Sequence, residues 1–221
     1  WRHWQDGPFD LKPYADRAMC DVNNHFTFHT SPHVPPAAGM PGWVYHAGTH
    51  IGPSLAWWPK AGAFIDYLGR CSYLLQQGLF VGDICYYYGD QAYNFVPPKH
   101  HDPSLGPGYD YDVANAEVIL TRMAVADGRI VLPDGMSYAL LVLPDRPDMD
   151  LDVLRKLEKL VQAGATIVGP KPIRSNGLGG FRARDASVKR LADKLWGPCN
   201  GTSVTEHRYG RGQVIWGRSL G

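Results

Sequence analysis

The sequence predicts an α/β protein in two unequal pieces. One is the C-terminal portion of a (β/α)8-type barrel over residues 1–78. The other is a flavodoxin-like open parallel-sheet domain over residues 79–221. Two observations lead there. A helix, a strand-like run and a long polar loop follow one another before residue 58, which is the order of one barrel unit, and barrel sites are built on loops after strands. After about residue 138, strand, helix and strand alternate over a span too short for anything but parallel strands joined by a crossover.

The elements follow from local pattern. Asp10 to Val22 reads as a helix with Leu11, Ala15, Ala18 and Met19 on one face. His25 to Thr30 alternates apolar and polar residues as a strand does. Trp57 to Gln77 is a helix with Pro59 in its first turn and an apolar stripe at Ala61, Phe64, Ile65, Leu68, Cys71, Leu74 and Leu75; Gly78 stops it. Leu79 to Tyr88 reads as a buried strand. A second long loop with Asp102 follows, then a helical pattern from Asp110 to Met123. Val125 to Val131 forms a short strand pair turning at Asp127-Gly128. Tyr138 to Leu143 is a strand. Asp150 caps a helix closed by Gly164, and Ala165 to Val168 is the next strand. A glycine-rich loop leads to a helix from Asp185 to Trp196, and a hairpin turns around Gly210-Arg211-Gly212.

Composition narrows the function. The 221 residues carry a formal net charge of +1. No basic patch or charge run stands out, so nucleic acid is excluded as a partner. No stretch approaches the roughly 20 apolar residues of a membrane span. Four widely spaced cysteines form no C-x-x-C pair; Cys71 and Cys85 lie in apolar patterns, which predicts buried free thiols.

The loop between residues 30 and 57 carries the chemistry. It combines His33, Trp43, Tyr45, His46 and His50 with prolines and glycines, and is flanked by His29 and Trp57. Long loops inside compact domains are usually functional. Flat aromatic faces beside short hydrogen-bonding side chains suit a sugar, which has C–H faces and a hydroxyl rim. His29, His33, Trp43, His46, His50, Trp57 and Tyr88 are therefore the candidate substrate-binding residues. Among the acids, Asp90 follows a strand's C-terminal end and Glu117 sits on the next helical pattern; these are the candidate catalytic carboxylates. Each has a plainer reading: a turn or capping Asp, and a solvated helix-face Glu. The loose spacing of His29, His33, His46 and His50, with no thiolate among them, argues against a zinc site, so no metal ligand is assigned.

Several ordered motifs carry a resemblance. Pro8 to Ala18, Phe28-His29-Thr30, Gly48-Thr49-His50…Trp57-Trp58, Arg70 to Gly78, Tyr86 to Asp90, Pro107 to Asp112 and Leu132 to Tyr138 together resemble glycoside hydrolase family 106, the α-L-rhamnosidases. The resemblance implies a multi-domain hydrolase with a catalytic barrel. It implies removal of terminal α-L-rhamnose from glycosides or pectic polysaccharide by acid/base hydrolysis with inversion, and admits a bound calcium for which Asp90, Asp102, Asp110 and Asp112 could supply oxygens. A polysaccharide substrate favours a periplasmic or secreted location. On this reading the chain is a segment whose remaining domains lie elsewhere in a longer protein, with at least one catalytic carboxylate before Trp1. The second piece is amidotransferase-like in outline but non-catalytic, because Gly169-Pro170-Lys171-Pro172 has no nucleophilic Cys. Two alternatives stay open: a non-catalytic carbohydrate-binding or scaffold module, and a metal-dependent hydrolase using the histidine loop.

Overall fold

A computed structural model of the chain describes residues 2–46, 48, 50–90, 105 and 108–220. The chain divides into two compact units, Trp1–Gly78 and Leu79–Gly221.

The first unit is built on two helices, α1 (Pro8–Cys20) and α2 (Gly62–Leu75). α1 starts earlier than the apolar pattern suggests. Pro8 occupies the first turn, where its missing N–H is not needed, and the Asp10 carboxylate accepts the Gly7 N–H at 3.0 Å. Ala15 packs with Phe64 and Leu68 of α2, and Leu11, Met19, Phe26 and Ile65 lean on them. A polar clasp adds to this contact: the Asp16 carboxylate accepts from Lys12 Nζ at 2.6 Å and from the Tyr67 hydroxyl at 2.7 Å. The expected helix from Trp57 begins instead as a 3-10 turn, Trp58–Lys60, before α2. Its stripe also overruns the core, since Leu74 is 68% exposed.

The segment from His25 to Thr30 is a correction. Among the described residues it forms no strand and pairs with none. Alternation reports which way side chains point along an extended chain; it does not supply the neighbouring backbone that a ladder needs. Phe26 nevertheless turns inward, against the α1–α2 core.

The second unit holds a six-stranded sheet in the order β2-β1-β6-β7-β9-β8. Its strands are β1 (Ile84–Tyr87), β2 (Tyr111–Ala114), β6 (Leu140–Val142), β7 (Thr166–Val168), β8 (Glu206–Tyr209) and β9 (Gly212–Ile215). Every pairing is parallel except β8 with β9. Three short strands, β3 (Ala124–Ala126), β4 (Arg129–Val131) and β5 (Ser137–Tyr138), form a separate antiparallel sheet. Asp127 and Gly128 both take positive φ (50° and 75°), the two-residue turn that Asp-Gly favours.

Two expected elements are redrawn. The helix from Asp110 to Met123 is in fact β2 followed by a short helix, α3 (Ala116–Thr121). Tyr111 and Ala114 are buried, Val113 between them is exposed, and the four residues pair in register with Ile84 to Tyr87. Asn115 then starts α3 by accepting the Val118 N–H at 3.0 Å. The strand from Tyr138 to Leu143 is split: β5 pairs with β4, and β6 enters the large sheet between β1 and β7. A continuous apolar run shows burial but cannot show a change of partner.

The helices α4 (Leu151–Ala163) and α5 (Phe181–Trp196) pack on each other beside this sheet. Asp150 caps α4 by accepting the Asp152 N–H at 2.8 Å, and Gly164, at φ 127°, ends it. α5 begins at Phe181, four residues before expectation, after Gly180 in the left-handed region. Asp185 instead ties down the preceding loop, accepting the Ser175 N–H and hydroxyl at 2.8 Å each. Leu154, Leu157, Val161, Val188, Leu195, Trp196, Leu141, Ile167 and Val214 are wholly buried in one core. All four cysteines are free thiols; Cys71 is half-buried and Cys85 buried. Burial first, and Asp112 second, push the Cys85 thiol up to about 12, which makes it inert as a nucleophile at neutral pH.

Candidate functional site

In the first unit the histidine-rich loop folds into two aromatic groups. The His29, Tyr45 and His46 rings form an exposed row, with centroids 4.9 Å and 4.5 Å apart in turn. Gly48 lets the loop approach the 26–29 segment: a Cβ there would sit 2.1 Å from the His29 carbonyl oxygen, and its φ is +79°. His50 belongs to the second group. It is buried, its Nε2 lies 2.9 Å from His3 Nδ1, and its ring is 4.6 Å from that of Trp4. Trp43, 63% exposed, lines a small recess with His50, Trp4 and Ser31. A wider groove of about 360 Å³ runs along Tyr14, Phe26, His29, Ile51, Phe64 and Leu68. His33 is exposed. Trp57 is half-buried and donates its indole N–H to the Asp6 carbonyl at 3.2 Å, so it anchors the loop's end. Thr49 lies outside the described residues.

Sequence reasoning missed His3 and Trp4. The signal was present: Trp1-Arg2-His3-Trp4 has the same aromatic and imidazole composition as the loop it meets. A hydrogen-bonded imidazole pair shares one proton between its facing nitrogens, so a second charge on the pair removes the bond. Desolvation first, and the His3 charge second, hold the His50 pKa below its ordinary value of 6.5. The unfolded chain therefore binds this proton more readily than the folded one. Stability from His50 is complete above about pH 6.5 and is lost as pH falls toward the depressed folded value. The groups facing His50 are the imidazole of His3 and the uncharged ring of Trp4. Denaturant midpoints measured from pH 5 to 8 are expected to fall on the acid side, and His50→Gln is expected to flatten that fall. An equally steep fall in the variant would contradict the assignment.

In the second unit, Tyr88 and Asp90 follow the carboxyl end of β1. The chain runs from β1 to β2 on one side, and β6 adds later on the other. Such a reversal in strand order is where open parallel sheets usually place a ligand, outside the carboxyl ends of the strands. Tyr88 donates its N–H to the Ala114 carbonyl at 2.8 Å and leaves its ring partly exposed. Asp90 accepts the Tyr87 hydroxyl on one oxygen and the Asp150 N–H on the other, at 3.0 Å. Burial, then the Asp90 hydrogen bond, raises the Tyr87 pKa, so the phenol stays a donor. Asp150 in turn holds Arg184 at 2.8 Å. Glu117 is exposed in the first turn of α3, where a helix N-terminus favours an acid.

Among the described residues no group of three His, Cys, Asp or Glu side chains could hold a metal. Asp112 is already engaged by the Tyr138 hydroxyl at 2.9 Å and the Val113 N–H at 2.8 Å, and Asp90 as described. Asp102 lies outside the described residues.

The comparisons with known proteins decide the family. The model of glycoside hydrolase family 106, described as alpha-L-rhamnosidase, matches residues 1–221. The chain belongs to this family. A similar curated protein is a putative beta-glucuronidase of Formosa agariphila, 37% identical over 198 residues, covering 88% of the chain and 16% of that protein. A similar solved structure is that of a rhamnosidase from Novosphingobium sp. PP1Y, with a TM-score of 0.71 and 30% identity, covering 96% of the chain and 20% of the rhamnosidase. The chain thus spans a fifth or less of these glycosidases. A family-106 chain is consistent with a mixed α/β unit whose sheet is mostly parallel. No helix of the described residues is long and apolar enough to cross a membrane.

Proposed function

We propose that this chain is a segment of a glycoside hydrolase that removes terminal α-L-rhamnose from glycosides or pectic polysaccharide, with inversion. The observation that carries the reading is the match to the rhamnosidase family along all 221 residues. In it, residues 1–78 form the end of a catalytic barrel, and the unpaired 25–30 segment finds its ladder partner in the remaining chain. Residues 79–221 form a flavodoxin-like supporting domain; the strand order around β1 supports that outline.

The proposed sugar contacts are of two kinds. In the first unit the open faces of Trp43 and Tyr45 offer stacking to C–H groups, and the exposed imidazoles of His29, His33 and His46 offer hydrogen bonds to hydroxyls; in the second, the ring of Tyr88 offers a separate stacking face. His50 orients the recess through its bond to His3, and Trp57 fixes the loop's exit. Inverting hydrolysis needs an acid and a base roughly 6.5–9.5 Å apart with a water between base and sugar. Asp90 and Glu117 are the candidates on this chain, and the remaining chain supplies what the pair lacks.

The test is release of the aglycone from an aryl α-L-rhamnoside by the full-length protein, with the first-formed sugar anomer read by NMR. We expect β-L-rhamnose first, and a roughly tenfold loss of kcat/KM for His46→Ala, the size of one lost hydrogen bond to a sugar hydroxyl. An α-anomer first, or no rhamnoside turnover, contradicts the reading. The name of the 37%-identical relative favours a second one, a β-glucuronide substrate. An aryl β-glucuronide assayed in parallel separates the two.

A further inference from the structure

The second unit is electrically divided along its sequence, which corrects the expectation that no basic patch exists. Residues 79–150 contain four Lys or Arg against eleven Asp or Glu; residues 151–221 contain thirteen against five. The chain's small net charge hides this division. The basic half includes α4 and α5, with three basic and two acidic residues on α4 and five and two on α5.

Between these helices runs an open groove of about 320 Å³. Arg155, Arg190 and Lys194 line it with Ser187, above an aliphatic floor of Leu151 and Leu191; Glu158 is the one acid in the lining. That acid is neutralised in place. Its carboxylate accepts Lys194 Nζ at 2.9 Å and the Tyr209 hydroxyl at 2.8 Å, and these bonds hold its pKa below the ordinary range, Lys194 first. Arg155 pairs with Asp152 at 2.8 Å, but both side chains are more than half exposed. Such surface pairs contribute little and exchange partners readily. Arg190 is exposed and has no ion-pair partner among the described residues. The groove therefore presents two guanidinium groups open to a ligand carboxylate, whose planar fork matches a guanidinium well.

We propose that the α4–α5 groove binds an acidic stretch of glycan, a run of uronate sugars. Carboxylates pair with Arg155 and Arg190, the Ser187 hydroxyl meets a ring hydroxyl, and sugar C–H faces lie on Leu151 and Leu191. A nucleic acid fits less well. Proteins that hold single strands offer aromatic platforms to the bases, and this lining has none. The inference rests on the proposed action on a polysaccharide, and gives that substrate a charge.

The experiment is affinity electrophoresis and calorimetry of the full-length protein with polygalacturonate, with neutral galactan and an oligonucleotide as comparison ligands. Retention by polygalacturonate that weakens with salt, without comparable retention by galactan or oligonucleotide, is expected. Arg190→Glu is expected to weaken it about tenfold, the effect of losing one charge-assisted hydrogen bond. Arg208→Glu, the same charge change on exposed β8 outside the groove, is expected to weaken it much less. No retention, equal retention of galactan or oligonucleotide, or equal effects of the two variants would overturn the proposal. Wild-type turnover of the aryl rhamnoside is read separately. Turnover without polygalacturonate binding sinks the groove alone; binding without turnover sinks the rhamnosidase reading and leaves the groove.

Discussion

Trp196→Ala is expected to remove about 4 kcal/mol of stability from the second unit, a large share of the roughly 5–15 kcal/mol that holds a domain folded. Trp196 ends α5 with its side chain wholly buried. Its indole N–H donates to the Gly169 carbonyl at 3.1 Å, just past β7, and Gly169 donates its own N–H to Ile215 of β9 at 2.9 Å. The ring thus joins a helix end to the carboxyl edge of two neighbouring strands. Truncation opens a cavity and leaves a partly buried carbonyl without its donor. Trp196→Phe keeps most of the volume and loses the hydrogen bond, so about 1–2 kcal/mol is expected. Urea unfolding followed by circular dichroism measures both. A loss below about 2 kcal/mol for the alanine variant would show that the core closes over the gap; if that variant does not fold, the phenylalanine variant still tests the hydrogen bond.

The legible parts of this fold are those whose signal is local. Asp150 and Gly164 bracket α4, and Asp127-Gly128 turns the β3–β4 hairpin, because caps and turns are written in single residues with special φ or a short side-chain acceptor. What failed was partnership. Tyr111 to Ala114, with its aromatic, acidic and small residues, fits a short helix as well as a strand. The pairing with Ile84 to Tyr87, far away in sequence, decides it. Tyr138 and Leu140 lie two residues apart and belong to different sheets, which no period can express.

The site shows the same division. The sugar-suited chemistry of the 30–57 loop is compositional and therefore visible. That His50 leans on His3 and Trp4 is a contact across 46 or 47 residues, visible only as a likeness of composition. The charge division of the second unit was legible and overlooked, because a whole-chain net charge of +1 averages an acidic half with a basic one. Charge counted by segment finds it without coordinates.

Asp90 is where structural and catalytic readings make opposite predictions. Its two oxygens connect the end of β1 to the start of α4, through the Tyr87 hydroxyl and the Asp150 N–H. Tyr87 is buried, so its phenol has no water to turn to. Asp90→Ala strands both donors and is expected to cost about 2–4 kcal/mol. Asp90→Asn keeps one oxygen acceptor but sets an amide N–H₂ against a donor, and about half that loss is expected. If Asp90 also serves as the acid or base, Asn lowers turnover on an aryl α-L-rhamnoside about 10²–10⁴-fold while the protein stays folded. If it is only an anchor, turnover falls no further than stability and KM do, and Asn outperforms Ala in both. Measuring kcat, KM and the urea midpoint on the same two variants of the full-length protein decides between them. A fully active, fully stable Asp90→Ala would contradict both roles.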